Sequence, residues 1–128
     1  MSRGIADTSV FIPRESGRPL EASKLPEFLS VSTVTMGELE AGVLIADDVA
    51  TRARRLATLL AARALQPMPV DEAVASAWAE LRATLRQSGR RMPVNDSWIA
   101  ATARAHGVPV VTQDDDYDHI QGLEVIKV

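Results

Sequence analysis

Short strand-like apolar runs alternate with long helical patterns from one end of this chain to the other, and that alternation leaves few folds open. The strand candidates are Gly4-Ile5-Ala6, Phe28 to Ser32, Val108 to Thr112 and Leu123 to Val128. Gln66 to Val70 is a further short strand or an extended link. Between them, apolar residues recur at helical spacing. Met36, Leu39, Val43 and Leu44 form one set; Val49, Ala53, Leu56, Leu59 and Leu60 form a second; Val74, Ala77, Trp78, Leu81 and Leu85 form a third. Strands separated by helices pair in parallel through crossover connections. The expected architecture is α/β: a three-layer α/β/α sandwich around a short, mainly parallel sheet of four or five strands.

Punctuation along the chain fits this order. Val10-Phe11-Ile12 extends the first apolar surface as far as Pro13. Residues 15–27, with Gly17, Pro19 and Pro26, read as loop with one short turn of helix. Thr33 or Thr35 is placed to cap the next helix, with Glu38 at capping-box distance from Thr35. Asp71 caps the helix that Ser88-Gly89 ends. Pro93-Val94-Asn95-Asp96 opens a last helix, which Gly107 stops.

At 128 residues the chain is expected to form a single domain spanning 1–128. The absence of cysteine excludes disulfides, thiolate zinc sites and a cysteine nucleophile. Residues 1–5 have no apolar core of signal-peptide length, and no run approaches the ~18 apolar residues of a membrane span. A cytoplasmic protein without membrane contact is expected. A net charge of −3 argues against a bulk nucleic-acid coat but not against a nuclease, whose acidity is local. Arginine is clustered at Arg52, Arg54, Arg55 and Arg63, and again at Arg82, Arg86, Arg90 and Arg91; each cluster taken alone reads as a solvated helix face.

The acids carry the functional signal. Asp7 follows the first strand in Asp7-Thr8-Ser9, and Asp114 follows the 108–112 strand in Thr112-Gln113-Asp114-Asp115-Asp116-Tyr117. In a parallel sheet both belong to the carboxyl edge, where ligands bind. Glu38 and Asp96 sit near the starts of helices that should flank that edge. Carboxylates gathered there repel one another, and a divalent cation with a preference for hard oxygen donors, Mg²⁺ or Mn²⁺, would hold them together. Each acid also has an ordinary structural role open to it. Asp7 reads as an N-cap, Glu38 as half of a capping box, Asp96 as a first-turn acid favoured by the helix dipole, and residues 114–118 as a solvated turn. Trp78 and Trp98 read as core or interface.

In order and spacing, Asp7-Thr8-Ser9, Glu38-Leu39, Asn95-Asp96 before Ile99-Ala100-Ala101, and Val110-Val111-Thr112 before Asp114, Asp116 and Tyr117 resemble the signatures of PIN domains. With the chain length and Gly122-Leu123-Glu124-Val125, they are similar to those of the small VapC-type toxins of toxin–antitoxin pairs. The resemblance implies Mg²⁺-dependent endoribonuclease cleavage of structured RNA, transfer RNA favoured, and neutralisation by a cognate antitoxin that lays a segment across the acidic groove. It also implies a homodimer. Carried over by position, Asp7, Glu38, Asp96 and Asp114 are the acidic quartet, with Asp116 as an alternative fourth acid or a fifth. Asp7 and Asp96 are the expected direct metal ligands, while Thr8 or Ser9, and Thr112, are placed to hydrogen-bond the carboxylates.

Other readings fit less well. An aspartyl-phosphate phosphatase wants Asp-x-Asp after the first strand, and Ser9 occupies the second position. A receiver domain needs a lysine after a late strand, and neither Lys24 nor Lys127 is placed for it. From a different class, a non-catalytic acidic groove that captures an Arg-rich peptide would use the same carboxylates without hydrolysis.

Overall fold

Four short parallel strands in the order β2-β1-β3-β4 form the centre of the protein: β1 Arg3–Ala6, β2 Phe28–Val31, β3 Val110–Thr112 and β4 Val125–Lys127. The structure is a computed structural model and describes residues 2–12 and 17–128. The helices are α1 Thr8–Phe11, α2 Thr33–Leu44, α3 Val49–Arg63, α4 Glu72–Gln87 and α5 Val94–His106, with a single 3-10 turn at Ala22–Lys24. Pro13 and Glu15, which the sequence places at the end of the first apolar stretch and in the loop, lie outside the described residues. The α/β architecture with an all-parallel four-stranded sheet is the expected one. The 66–70 segment contributes only an isolated bridge, Met68 to Ser32, and so counts as the extended link rather than a fifth strand.

Side-chain alternation along β1 and β3 assigns the two faces of the sheet. Ile5 and Val110 point into a core with Leu81, Leu85, Ile99, Ala100, Ala103 and Tyr117, the layer built by α4 and α5. Ala6 and Val111 point the other way, toward Val10, Leu20, Leu25 and Leu29. Gly4 is needed for this pairing: a Cβ there would sit 2.7 Å from Val111 Cγ2. A third cluster, Leu39, Leu59 and Ala62, joins α2 to α3 beside the sheet.

One local expectation changes and two gain detail. Val10 and Phe11 continue the apolar surface, as the end of α1, which Asp7 caps by accepting the Ser9 backbone N–H at 3.1 Å. The cap of α2 is Ser32, whose Oγ accepts from Val34 N at 3.0 Å. Thr33 and Thr35 therefore lie inside the helix, Thr35 is buried, and Glu38 is free of any capping box. On α3, the periodic residues Val49, Leu56 and Leu60 are exposed, and Leu59 and Ala62 form the buried face. The remaining punctuation holds: Asp71 accepts from Val74 N at 3.0 Å, and Gly107 ends α5 with φ 65°.

This topology positions the site. From β1 the chain crosses to β2 on one side, then through α2–α5 to β3 on the other. The crevice beyond the carboxyl ends of β1 and β3 is where a parallel sheet binds ligands. Asp7 and Thr112 stand at its two lips.

Candidate active site

Asp7 is the anchor of the crevice. It is the residue after β1 and is only 2% exposed. Its Oδ1 accepts both the Ser9 backbone N–H and the Ser9 hydroxyl, the latter at 2.5 Å. Ser9 Oγ in turn accepts Gln113 N at 2.9 Å and lies 3.3 Å from Thr112 Oγ1. Thr112 Oγ1 accepts Asp114 N at 3.0 Å. One hydroxyl relay thus ties the end of β1 to the end of β3. Burial pushes the Asp7 carboxyl up to about 6, against the lowering effect of the Ser9 and Thr112 hydroxyls, and the Asp114 charge adds to the rise.

Asp96 enters from the first turn of α5 and is half-buried. Burial pushes it up to about 7, assisted by a hydrogen bond to Asp116 and by the charges of Asp116 and Asp7. Asp7 and Asp96 therefore face the same space. Glu38 reaches it from α2, its Oε1 accepting the Thr8 hydroxyl at 2.7 Å, while Thr8 also lies 3.3 Å from Thr35.

The Asp114–Asp118 run divides by direction. Asp114 is electrostatically joined to Asp7 and accepts a hydrogen bond from Arg18 Nη2 at 3.3 Å. Asp116 is exposed and turned toward Asp96. Asp115 and Asp118 point away and are both bound by Lys127. Lys127 thus neutralises the two acids of the run that face neither Asp7 nor Asp96.

Tyr117 was legible in the sequence only as the end of a motif. Its side chain is fully buried; its hydroxyl makes no well-aligned hydrogen bond among the described residues, but it lies close enough to the Asp96 carboxyl to donate to it. That hydroxyl stands beside the Asp96 carboxylate, and burial together with the charges of Asp7, Asp96 and Glu38 holds the phenol above its ordinary range. The direction of its hydroxyl was not readable in the sequence.

This donor set fits a divalent cation. Among the described residues no Lys or Arg forms an ion pair with Asp7, Glu38 or Asp96. Two of these carboxyls are raised, by burial first and by neighbouring acids second, and the donors are hard oxygens. Among the described residues no three His, Asp or Glu side chains close into a cage. Mg²⁺ takes only one or two carboxylates and keeps several waters.

A parallel sheet with acids from β1, α2, α5 and the turn after β3 defines a class, and the comparisons agree with it. The PIN domain model matches residues 5–123. The sequence is 46% identical over 128 residues to Ribonuclease VapC5 of Mycobacterium tuberculosis, covering 98% of this chain and 95% of the relative. It is 47% identical over 127 residues to Ribonuclease VapC4 of the same organism, covering 98% and 97%. The crystal structure of VapBC-5, a toxin–antitoxin system from M. tuberculosis, superposes over 100% of both chains with TM-score 0.91 at 42% identity. FitAcB from Neisseria gonorrhoeae superposes with TM-score 0.79 at 26% identity, covering 95% of each chain. The chain belongs to the PIN-domain family, among its VapC-type members.

Proposed function

We propose that the protein is the toxin of a toxin–antitoxin pair, a Mg²⁺-dependent endoribonuclease that hydrolyses phosphodiester bonds in structured RNA. The observation that carries this is the convergence of Asp7 and Asp96, raised to about 6 and 7, on one crevice beside Glu38. The relatives' names, Ribonuclease VapC5 and VapC4, support the same activity. Transfer RNA is the favoured substrate, and Mn²⁺ is an alternative cation.

Asp7 and Asp96 would hold the cation, and Asp114 would add charge from the far lip. When bound, the cation supplies positive charge against the phosphate oxygens and acidifies water. The protein's own groups do the rest. The Ser9 and Thr112 hydroxyls hold Asp7 in one orientation, so that its Oδ2 is left to face the crevice. Thr8 occupies Glu38 Oε1, which leaves Oε2 to take the proton of an attacking water. Asp116, hydrogen-bonded to Asp96 and exposed, is placed to pass a proton between Asp96 and solvent. No serine nucleophile is required.

The antitoxin surface is assigned to α2 and α3. Leu44, Ile45 and Val49 are 73%, 73% and 86% exposed, and Leu56 and Leu60 extend the same apolar patch. A groove beside it, about 260 Å³, is lined by Ile45, Leu39 and Arg55 and ends at Glu38 and Thr8. A partner segment seated there covers a site acid, which would explain neutralisation. The structural neighbours were solved as VapBC and FitAB complexes. A homodimer is also proposed, and light scattering at tens of micromolar tests it.

The deciding experiment is cleavage of total cellular RNA by purified protein with Mg²⁺ or Mn²⁺, with EDTA, and with Asp7→Asn in parallel. Discrete fragments that vanish with EDTA and with the variant are expected. No fragments under any metal would overturn the reading in favour of a groove that only binds its partner.

A further inference from the structure

A cavity of about 540 Å³ lies outside the acidic crevice, between the end of α4 and the start of α5. Arg82, Arg86, Arg90 and Arg91 line it, with Met92 and Ser97 completing the wall, and no acid lines it. Among the described residues none of the four guanidiniums forms an ion pair or hydrogen bond. Four uncompensated cations around one cavity repel each other, and an anion relieves that repulsion. Guanidinium is the group that matches phosphate with two parallel hydrogen bonds.

The wall is rigidly built. Trp78 and Trp98 stack with centroids 4.3 Å apart and planes within 2°. The Arg82 guanidinium lies 5.1 Å from the Trp78 ring centre, and Trp78 Nε1 donates to Ser97 Oγ at 2.9 Å. Ser97 Oγ donates onward to Val94 O. The cavity wall is thereby fixed to the first turn of α5, the turn that presents Asp96 to the crevice. Successive helix positions point about 100° apart. Ser97 of the cavity wall and Asp96 of the crevice are thus consecutive residues of one helical turn.

We propose that this cavity is a phosphate subsite: it holds the RNA backbone on one side of the bond positioned at Asp7 and Asp96. The subsite rests on the ribonuclease reading above and adds to it the protein's grip on the flanking strand. The acids repel the backbone, so binding strength must come from cations elsewhere, and this cavity supplies them within reach of the same strand.

The test uses the full chain in an Asp7→Asn background with EDTA present, and a fluorescent single-stranded RNA whose anisotropy is followed across a salt series. Arg86→Ala/Arg90→Ala should weaken binding by about tenfold at 0.1 M salt. It should lower the log–log salt slope by about 1.4, from roughly 0.7 per lost phosphate contact. Arg54→Ala/Arg63→Ala, which removes the same charge from α3, should leave the slope near the parent value. Equal losses in both double variants would show only a diffuse field and overturn the subsite, as would no loss in either. A change in oligomeric state of the Arg86/Arg90 variant, with RNA binding unaltered, would also overturn it by assigning the cavity to a protein interface. The two readings fail separately. Wild-type cleavage with an unchanged salt slope sinks the subsite alone; a reduced slope without cleavage by the wild type sinks the nuclease and leaves the RNA subsite standing.

Discussion

The Thr8 hydroxyl donates to Glu38 Oε1 at 2.7 Å across 30 residues of sequence, joining the cap region of α1 to the middle of α2. It orients a carboxylate that no capping box or ion pair holds. Thr8→Val keeps the shape and removes the donor. RNA cleavage should fall about tenfold, equivalent to about 1.4 kcal/mol and close to the lower end of the range for a hydrogen bond to a charged group. Initial rates beside Glu38→Gln provide the check; wild-type rates in Thr8→Val would remove Thr8 from the positioning of Glu38.

Asp7 and Asp96 make the metal-free protein less stable as pH rises. Their folded values, about 6 and 7, exceed the ordinary 3.8, so between pH 4 and 7 the native state holds protons that the unfolded chain has released. Unfolding free energy therefore drops through that window. For Asp7 a rise of about two pKa units corresponds to about 3 kcal/mol by pH 8. In EDTA, Asp7→Asn should raise Tm at pH 8 and leave it nearly unchanged at pH 4. A pH-independent effect of the substitution would contradict this origin.

Adding Mg²⁺ should offset the same repulsion. At pH 7 the wild-type Tm should increase with Mg²⁺ concentration, as for any ligand that binds only the folded state. Binding should release protons from the raised acids, and the release should diminish above pH 8. Calorimetry in two buffers of different ionisation enthalpy measures it. Asp7→Asn should lose most of the Tm response; an undiminished response would place the cation elsewhere.

Tyr117→Phe deletes only the buried hydroxyl. Since that hydroxyl makes no well-aligned hydrogen bond, Tm should change little. The hydroxyl lowers the Asp96 pKa, so its loss should move the acid limb of the cleavage pH profile to higher pH. A lower Tm with an unmoved profile would reduce Tyr117 to a packing residue.

Ile45→Glu/Leu56→Glu places charge on the exposed α2–α3 patch without touching the buried Leu59 and Ala62. Antitoxin affinity should fall by more than tenfold while RNA cleavage persists, read by titrating antitoxin against both activities. Unchanged neutralisation would move the partner surface to another face.

Strand and helix order and the caps at Asp71 and Gly107 were legible because each depends on local pattern. Ser32 displaced Thr33 and Thr35 as the cap of α2 because the chain turns one residue earlier, where Ser32 also bridges Met68. The exposed face of α3 was not legible, because helical spacing reports an apolar stripe but not whether this chain covers it.

By itself, then, the sequence determined the parallel α/β framework and the residue types gathered at its carboxyl edge, since hydrophobic period and turn chemistry are short-range properties. Direction belonged to the tertiary structure. Only packing turned Asp116 to Asp96, gave Asp114 to Arg18 and tied Asp115 and Asp118 to Lys127. Only packing buried the Tyr117 hydroxyl beside the acids and closed four arginines around one cavity. Consecutive residues of a turn point to different neighbours, and those neighbours come from strands and helices far away in sequence.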